Sequence, residues 1–389
     1  MSVRSLLSVL TAVGLAATLL GAADGTRAQA PPAPPPAQAA TQAKPPKPPA
    51  IWPPDADALK KRRLEAEALP LFSSLEPFDV TITADFKAVQ RDRNVDSKKL
   101  YPGTLSIVTG GVAGPAIPIQ LRTRGNVRRN NRTCGFAPLR LEFPKDQLKG
   151  TIFEGQRAVK LGTHCQDADV FQQYMLKEYL ASRLLNTVTP RSLRVRLAHV
   201  TYTDTAAGKK PYTMLGIFYE DADDMAKRMD ARVLPVPRQM FNGLDQAQLL
   251  FMSLFQYMIG NTDYSILMLH NVIMLDDAKG VRYVVPYDFD YSGLVYAHYA
   301  VAAKALELSS VRERLYRGPC KTEAEVESAL QPFRAKKDEL LALPASLPDI
   351  EEGHRKNVEK YLNEFFELIS RPDKVKRTFV TDCKPIGGM

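Results

Sequence analysis

The sequence predicts an α+β fold: an antiparallel sheet carrying one helix in the first half of the chain, and a mainly helical second half. Two observations predict it. From Phe78 to Tyr219 short runs alternate apolar and polar residues, as strands with one buried face do, and one run between them has a helical period instead. Beyond Asp245 the longer runs are helical, interrupted by a single hairpin.

The first 30 residues have the composition of a secretory signal peptide. Arg4 supplies the positive start, an uncharged and mostly apolar run extends from Leu6 to Ala23, and Ala28-Gln29-Ala30 fits a cleavage site, so the mature chain is expected to begin near Pro31. The run is rich in Ala, Gly, Ser and Thr, which argues against a membrane anchor, and no later segment is long and apolar enough to span a bilayer. These features predict a periplasmic or secreted protein without a transmembrane anchor. Residues 31–54 follow, 11 of them proline, and read as a semi-rigid polyproline tether rather than part of a core.

The remaining chain, about 335 residues, is long enough for a well-buried core. It divides into a sheet-rich part over 55–220 and a helical part over 221–389. The formal charge of +9 is spread along the sequence with acidic residues interleaved, which predicts a solvated basic surface and no nucleic-acid partner. Four cysteines, Cys134, Cys165, Cys320 and Cys383, lie in the mature part without any C-x-x-C spacing. In an exported chain an even number points to disulfides rather than to a metal site. Of the three connectivities, Cys134–Cys165 and Cys320–Cys383 are expected: the first pair brackets two neighbouring strands, and the second ties the C-terminal tail to the helical part.

In chain order, Asp55 to Leu69 reads as a short charged helix leading out of the tether. Strands are predicted near Phe78–Asp85, Thr104–Val108, Ile117–Arg124, Pro138–Phe143 and Arg157–Leu161, with Gly110, Gly111 and Gly114 forming a turn. Phe171 to Leu185 is a helix with Phe171, Tyr174, Met175, Ala181 and Leu185 on one stripe; Glu178 shares that stripe. A carboxylate there is costly unless a cation meets it. Lys160 is one candidate, and a surface Arg or Lys at the edge of the stripe is the other. Strands Arg194–Tyr202 and Tyr212–Tyr219 complete the sheet.

Asp245 with Gln248 caps a helix running to Ile259 that is apolar on nearly every side and so is expected to be buried. Residues 271–275 and 281–285 form a hairpin, Thr322 and Glu325 make a capping box, and a final amphipathic helix carries Val358, Tyr361, Leu362, Phe365 and Ile369.

The chemistry is concentrated around that hairpin. Gly260-Asn261-Thr262-Asp263 precedes it, His270-Asn271 opens it and Pro286-Tyr287-Asp288-Phe289-Asp290 closes it. Phosphoryl transfer needs a carboxylate to orient an acceptor hydroxyl and hard oxygen ligands for Mg²⁺, and this order of residues supplies both. The five His show no metal-ligand spacing, and His270 and His298 beside the acidic motif are expected to make ordinary hydrogen bonds. The aromatic residues between Tyr283 and Tyr299 are expected to pack in the core.

Taken with Arg122-Thr123-Arg124-Gly125-Asn126 and Val159-Lys160-Leu161, these motifs resemble the kinase-like superfamily, most closely the exported members of the spore-coat CotH kinase-like family. The resemblance spans about residues 78 to 370. It implies a two-lobed atypical protein-kinase-like fold and Mg²⁺-dependent transfer of a phosphoryl or nucleotidyl group from ATP or another nucleotide to an envelope protein or small-molecule acceptor. It implies that Lys160 contacts phosphate with Glu178 as its helix partner, that Arg124, Gly125 and Asn126 fold over the nucleotide, that Asp263 is the catalytic acid, and that Asn271 and Asp288 ligate the metal. Asp290 either adds a second ligand or caps the next turn. Asp263 and Asn271 are eight residues apart, against five in the usual kinase loop, so either the loop has grown or Asn271 is not a ligand. The alternative function is a non-catalytic, pseudokinase-type binding or scaffold protein of the cell envelope.

Overall fold

The computed structural model describes residues 52–144, 147–206, 208, 210–235 and 241–384. The expected signal peptide over 1–30 and nearly all of the expected tether lie outside the described residues.

The strands of the first half are β1 (Phe78–Ala84), β2 (Tyr101–Thr109), β3 (Val112–Ala113), β4 (Ile117–Thr123), β5 (Leu139–Glu142), β6 (Ala158–Gly162), β7 (Val195–Asp204) and β8 (Tyr212–Tyr219). They do not form an open antiparallel sheet. Seven of them run in the order β1-β7-β8-β6-β5-β4-β2, and β1 pairs with β2 as well, so the sheet closes on itself as a barrel. The barrel is mixed, because β1 runs parallel to β7 with Val80 opposite Val200, while the other pairings are antiparallel. The short β3 only extends the hairpin that turns at Gly110 and Gly111.

The two-lobed kinase-like architecture with an antiparallel sheet lobe is therefore overturned by the closed mixed barrel. The physical reason is that alternation along a strand reports which face is buried, not which strand lies next to it. Closure depends on β1 meeting a strand more than a hundred residues further on, and no local pattern encodes that. The alternation itself is real: Val80, Ile82 and Ala84 are buried inside the barrel with Leu105, Leu121, Leu141 and Leu161.

The helices are α1 (Ala56–Glu67), α2 (Phe86–Arg91), α3 (Asp169–Val188), α4 (Ala222–Arg228), α5 (Gln246–Ile259), α6 (Glu323–Ala335), α7 (Lys337–Ala342), α8 (Glu352–Ile369) and α9 (Pro372–Lys376). Asp55 caps α1 through the Ala58 N–H, Asp245 caps α5 through the Gln248 N–H, and Thr322 with Glu325 forms the expected capping box on α6. The hairpin is also present as β10 (Val272–Asp277) and β11 (Arg282–Pro286), and β9 (Ala231–Val233) adds a third strand to it.

Helix α3 lies across β7 and β8. Its stripe of Met175, Leu176, Leu180 and Leu184 joins Leu197, Ile217, Leu254, Phe333, Leu362 and Phe365 in a single core, so the sheet-rich and helical parts share buried surface. Both expected disulfides are formed, which fits an exported protein. Among the described residues no helix is long and apolar enough to cross a membrane.

Candidate functional site

A cavity of about 230 Å³ is lined by Lys160, Glu178, Arg124, Gly125, Asn126, Asp263, Asn271, Asp288 and Asp290. The residues singled out in five separate stretches of sequence thus come together in one place. They arrive from the exit of β4, from β6, from α3, from the loop after α5 and from the exit of β11.

The loop after β4 turns at Gly125, whose φ of +89° favours glycine, and then forms one tight turn over Val127–Arg129. Arg129 fastens this turn from beneath by donating to the Asn94 carbonyl (2.8 Å) and the Thr123 hydroxyl (3.2 Å). The Cys134–Cys165 bridge ties the far side of the loop to the segment leaving β6.

Arg128 is the cation that meets Glu178. Its Nη1 lies 3.0 Å from Glu178 Oε2 and 3.9 Å from Asp290 Oδ2, and its Nη2 donates to the Thr163 carbonyl at 2.9 Å. Tyr219 donates its hydroxyl to the other oxygen of Glu178, and Tyr299 donates to Asp290 Oδ2 at 3.2 Å. The expected ion pair of Lys160 with Glu178 does not form. Lys160 sits on β6 beside the Tyr287 ring, 5.9 Å from its centre, and among the described residues it has no carboxylate in ion-pair reach. The burial argument for Glu178 was sound, but a guanidinium presenting several donors in a fixed fork can serve two carboxylates and a carbonyl together, as an ammonium at Lys160 cannot. Only the pair Arg128-Arg129 next to the Arg-Gly-Asn motif could have suggested it, and paired arginines in a loop usually read as surface charge.

The electrostatics follow from this crowding. Burial raises the Glu178 carboxyl above its ordinary value, with Arg128 pulling the other way. Burial, then the neighbouring charge of Asp288, raise the Asp290 carboxyl well above its ordinary value. Burial opposes the Arg128 charge, but Glu178, Tyr299, Asp290 and Asp288 together hold that guanidinium well above its usual range. Burial and then Arg124 lower the Lys160 ammonium. Three carboxylates therefore gather around one arginine on one wall, and two further cations, Lys160 and Arg124, face the same cavity.

Asp263 is held at the turn after α5. Gly260 ends that helix in a left-handed conformation at φ +63°, and Asn261 then accepts from the Asp263 N–H at 3.1 Å. Asn271 Nδ2 donates to the Asp263 carbonyl (2.8 Å) and to its Oδ2 (3.0 Å), while His270 Nε2 lies 3.1 Å from Oδ1. The ordinary hydrogen bond expected of His270 is thus to the candidate acid. Asn271 and Asp288 both adopt positive φ, 53° and 63°; such strain in residues other than glycine collects at functional sites.

Gly260→Ala is expected to cost about 2 kcal/mol, because a Cβ there has to hold a left-handed backbone and runs into the buried Tyr361 hydroxyl. Urea denaturation of the variant checks it, and a loss below about 0.5 kcal/mol would show that the turn relaxes freely.

Compared with models of known protein families the chain matches none, and no curated protein matches it.

Proposed function

We propose that this cavity binds a nucleotide polyphosphate with a divalent cation and transfers a phosphoryl group to a hydroxyl acceptor of the cell envelope, in a protein exported by the signal peptide at 1–30. The observation that carries the reading is the pairing, within one cavity, of a lysine that has no carboxylate partner among the described residues with a wall that has carboxylates in excess. Phosphates need the first, and a cation needs the second. The reading rests on the site and not on the architecture.

The donor set fits Mg²⁺ better than a dedicated protein cage. Among the described residues no group of three or more His, Cys, Asp or Glu is arranged to hold a metal, and Mg²⁺ is ordinarily held by one or two carboxylates with phosphate and water supplying the rest. Asp288, with Asp290 or the Asn271 carbonyl oxygen, would hold it. When bound, the ion neutralises charge on the phosphates. Lys160 and Arg124 then position the phosphate chain. Asp263, held by Asn271 and His270, orients the acceptor hydroxyl and receives its proton. The similarity of these residues to those of the exported CotH kinase-like family supports the same reading.

The test is the thermal shift of the protein with ATP and MgCl₂. At 100 times the dissociation constant a ligand bound only by the native state adds about 2.7 kcal/mol. Asp288→Asn is expected to abolish that gain while leaving the unliganded melting temperature nearly unchanged, because asparagine also tolerates a positive φ. A variant that melts lower, with nucleotide response absent in both forms, would favour the non-catalytic scaffold instead.

A further inference from the structure

A second cavity, of about 810 Å³, lies between α3, the segment Tyr296–Val311 and the start of α8. Its most telling residue is Lys177, one position before Glu178 and therefore on a different face of α3. Lys177 is only 5% exposed, and among the described residues it has neither an ion pair nor a hydrogen bond. The Tyr174 ring lies 5.1 Å from its ammonium. Leaving an ammonium buried and unpaired is expensive, and a chain gains nothing in stability by doing so.

The start of α8 faces the same space. Its cap residue, Glu351, makes no side-chain capping bond; its own N–H is taken by Gln173 Oε1 at 3.0 Å. The N–H groups of Glu352, Gly353 and His354 find no acceptor among the described residues, which leaves the positive end of an 18-residue helix open toward the cavity where Gly353 and His354 line it. The only carboxylate lining the cavity among the described residues is Glu351, 62% exposed and 4.0 Å from His354 Nε2. The wall also carries aromatic and aliphatic groups, Tyr174, Tyr296, His298 and Val301, beside the polar Ser309, Ser310 and Asn357.

We propose that this cavity is a binding site for a small oxyanion borne on an apolar or aromatic body, its carboxylate or phosphate held by Lys177 and the free N–H groups of α8. Burial, followed by the charge of Arg312, lowers the Lys177 ammonium to about 8, and no carboxylate offsets the fall. Bound anion supplies the missing partner. The site is separate from the first cavity and does not depend on the function proposed for that one.

Phenyl phosphate, benzoate and inorganic phosphate, each titrated against the full chain, test the proposal by thermal shift. A rise with phenyl phosphate identifies a phosphate monoester as the ligand chemistry, and a rise with benzoate a carboxylate. The response is expected to survive Lys160→Met, which removes one cation of the first cavity, and to weaken about tenfold or more in Lys177→Met. Lys177→Met should melt no lower than the parent when unliganded, since it removes an unpaired buried charge. Val301→Trp, at a position 71% exposed on the rim, narrows the cavity without touching the core and should weaken binding too. No response in the parent protein, an undiminished response in both Lys177→Met and Val301→Trp, or a response lost in Lys160→Met alone overturns the proposal.

Discussion

Arg128→Met is expected to destabilise the protein by about 3–5 kcal/mol, the cost of removing one partner of a buried ion pair. Arg128 is 9% exposed and Glu178 2%, so the stranded carboxylate cannot turn to water. Tyr219 still donates to one oxygen, but the Thr163 carbonyl and Asp290 lose the guanidinium as well. Combining Arg128→Met with Glu178→Gln should recover part of the loss, because Glu178 is then neutral and only Asp290 is left without the guanidinium. Chemical denaturation of the two single variants and the double variant gives the coupling directly. Strict additivity, or a loss under about 1 kcal/mol for Arg128→Met, would show that Arg128 merely lies alongside the carboxylates.

Acidification should weaken the protein through His164. Its ring is fully buried, stacked 4.8 Å from Phe136 and packed against Tyr202 and Tyr212, and neither ring nitrogen has a hydrogen-bond partner among the described residues. Burial lowers it to about 4, and the exposed Asp167 carboxylate, 3.5 Å from Nε2, only partly offsets this. The unfolded chain takes up this proton near pH 6.5 and the folded chain only near pH 4. Between those values the unfolded state binds more protons, so this contribution is complete above pH 6.5 and is lost as pH falls toward 4, by about 3 kcal/mol. The raised carboxyls of Glu178 and Asp290 work in the opposite direction, so the quantity to measure is the difference between the parent and His164→Phe. Stability curves of the two proteins that stay parallel from pH 7 to pH 4 would rule out the effect.

Much of the local structure was legible. Alternation located β1, β4, β7 and β8 to within a few residues, and the caps at Asp245 and Thr322 were visible because capping is chemistry among near neighbours. Short elements such as β9, three residues long, and α2 and α4, of six and seven, carry too few periods to register. The site was legible in its residues but not in its wiring. Lys160, Asp263, Asn271 and Asp288 were identified from their neighbours in sequence, and they do share a cavity. Arg128 was not, because nothing in a three-residue turn says where a long guanidinium side chain will end.

The seam of the barrel sets the order in which the chain can be completed. Residues 78–84 lie between β2, which follows after α2, and β7, whose last paired residue is Asp204. A chain emerges from synthesis N-terminus first. Until residue 204 has emerged, β1 has one bare edge, with its N–H and C=O groups open to any passing strand. Long-range pairing of this kind is slow. The wait between the exit of β1 and the arrival of β7 therefore leaves an extended edge open to other strands, and a chaperone that acts on it has to recognise that edge and not a helix.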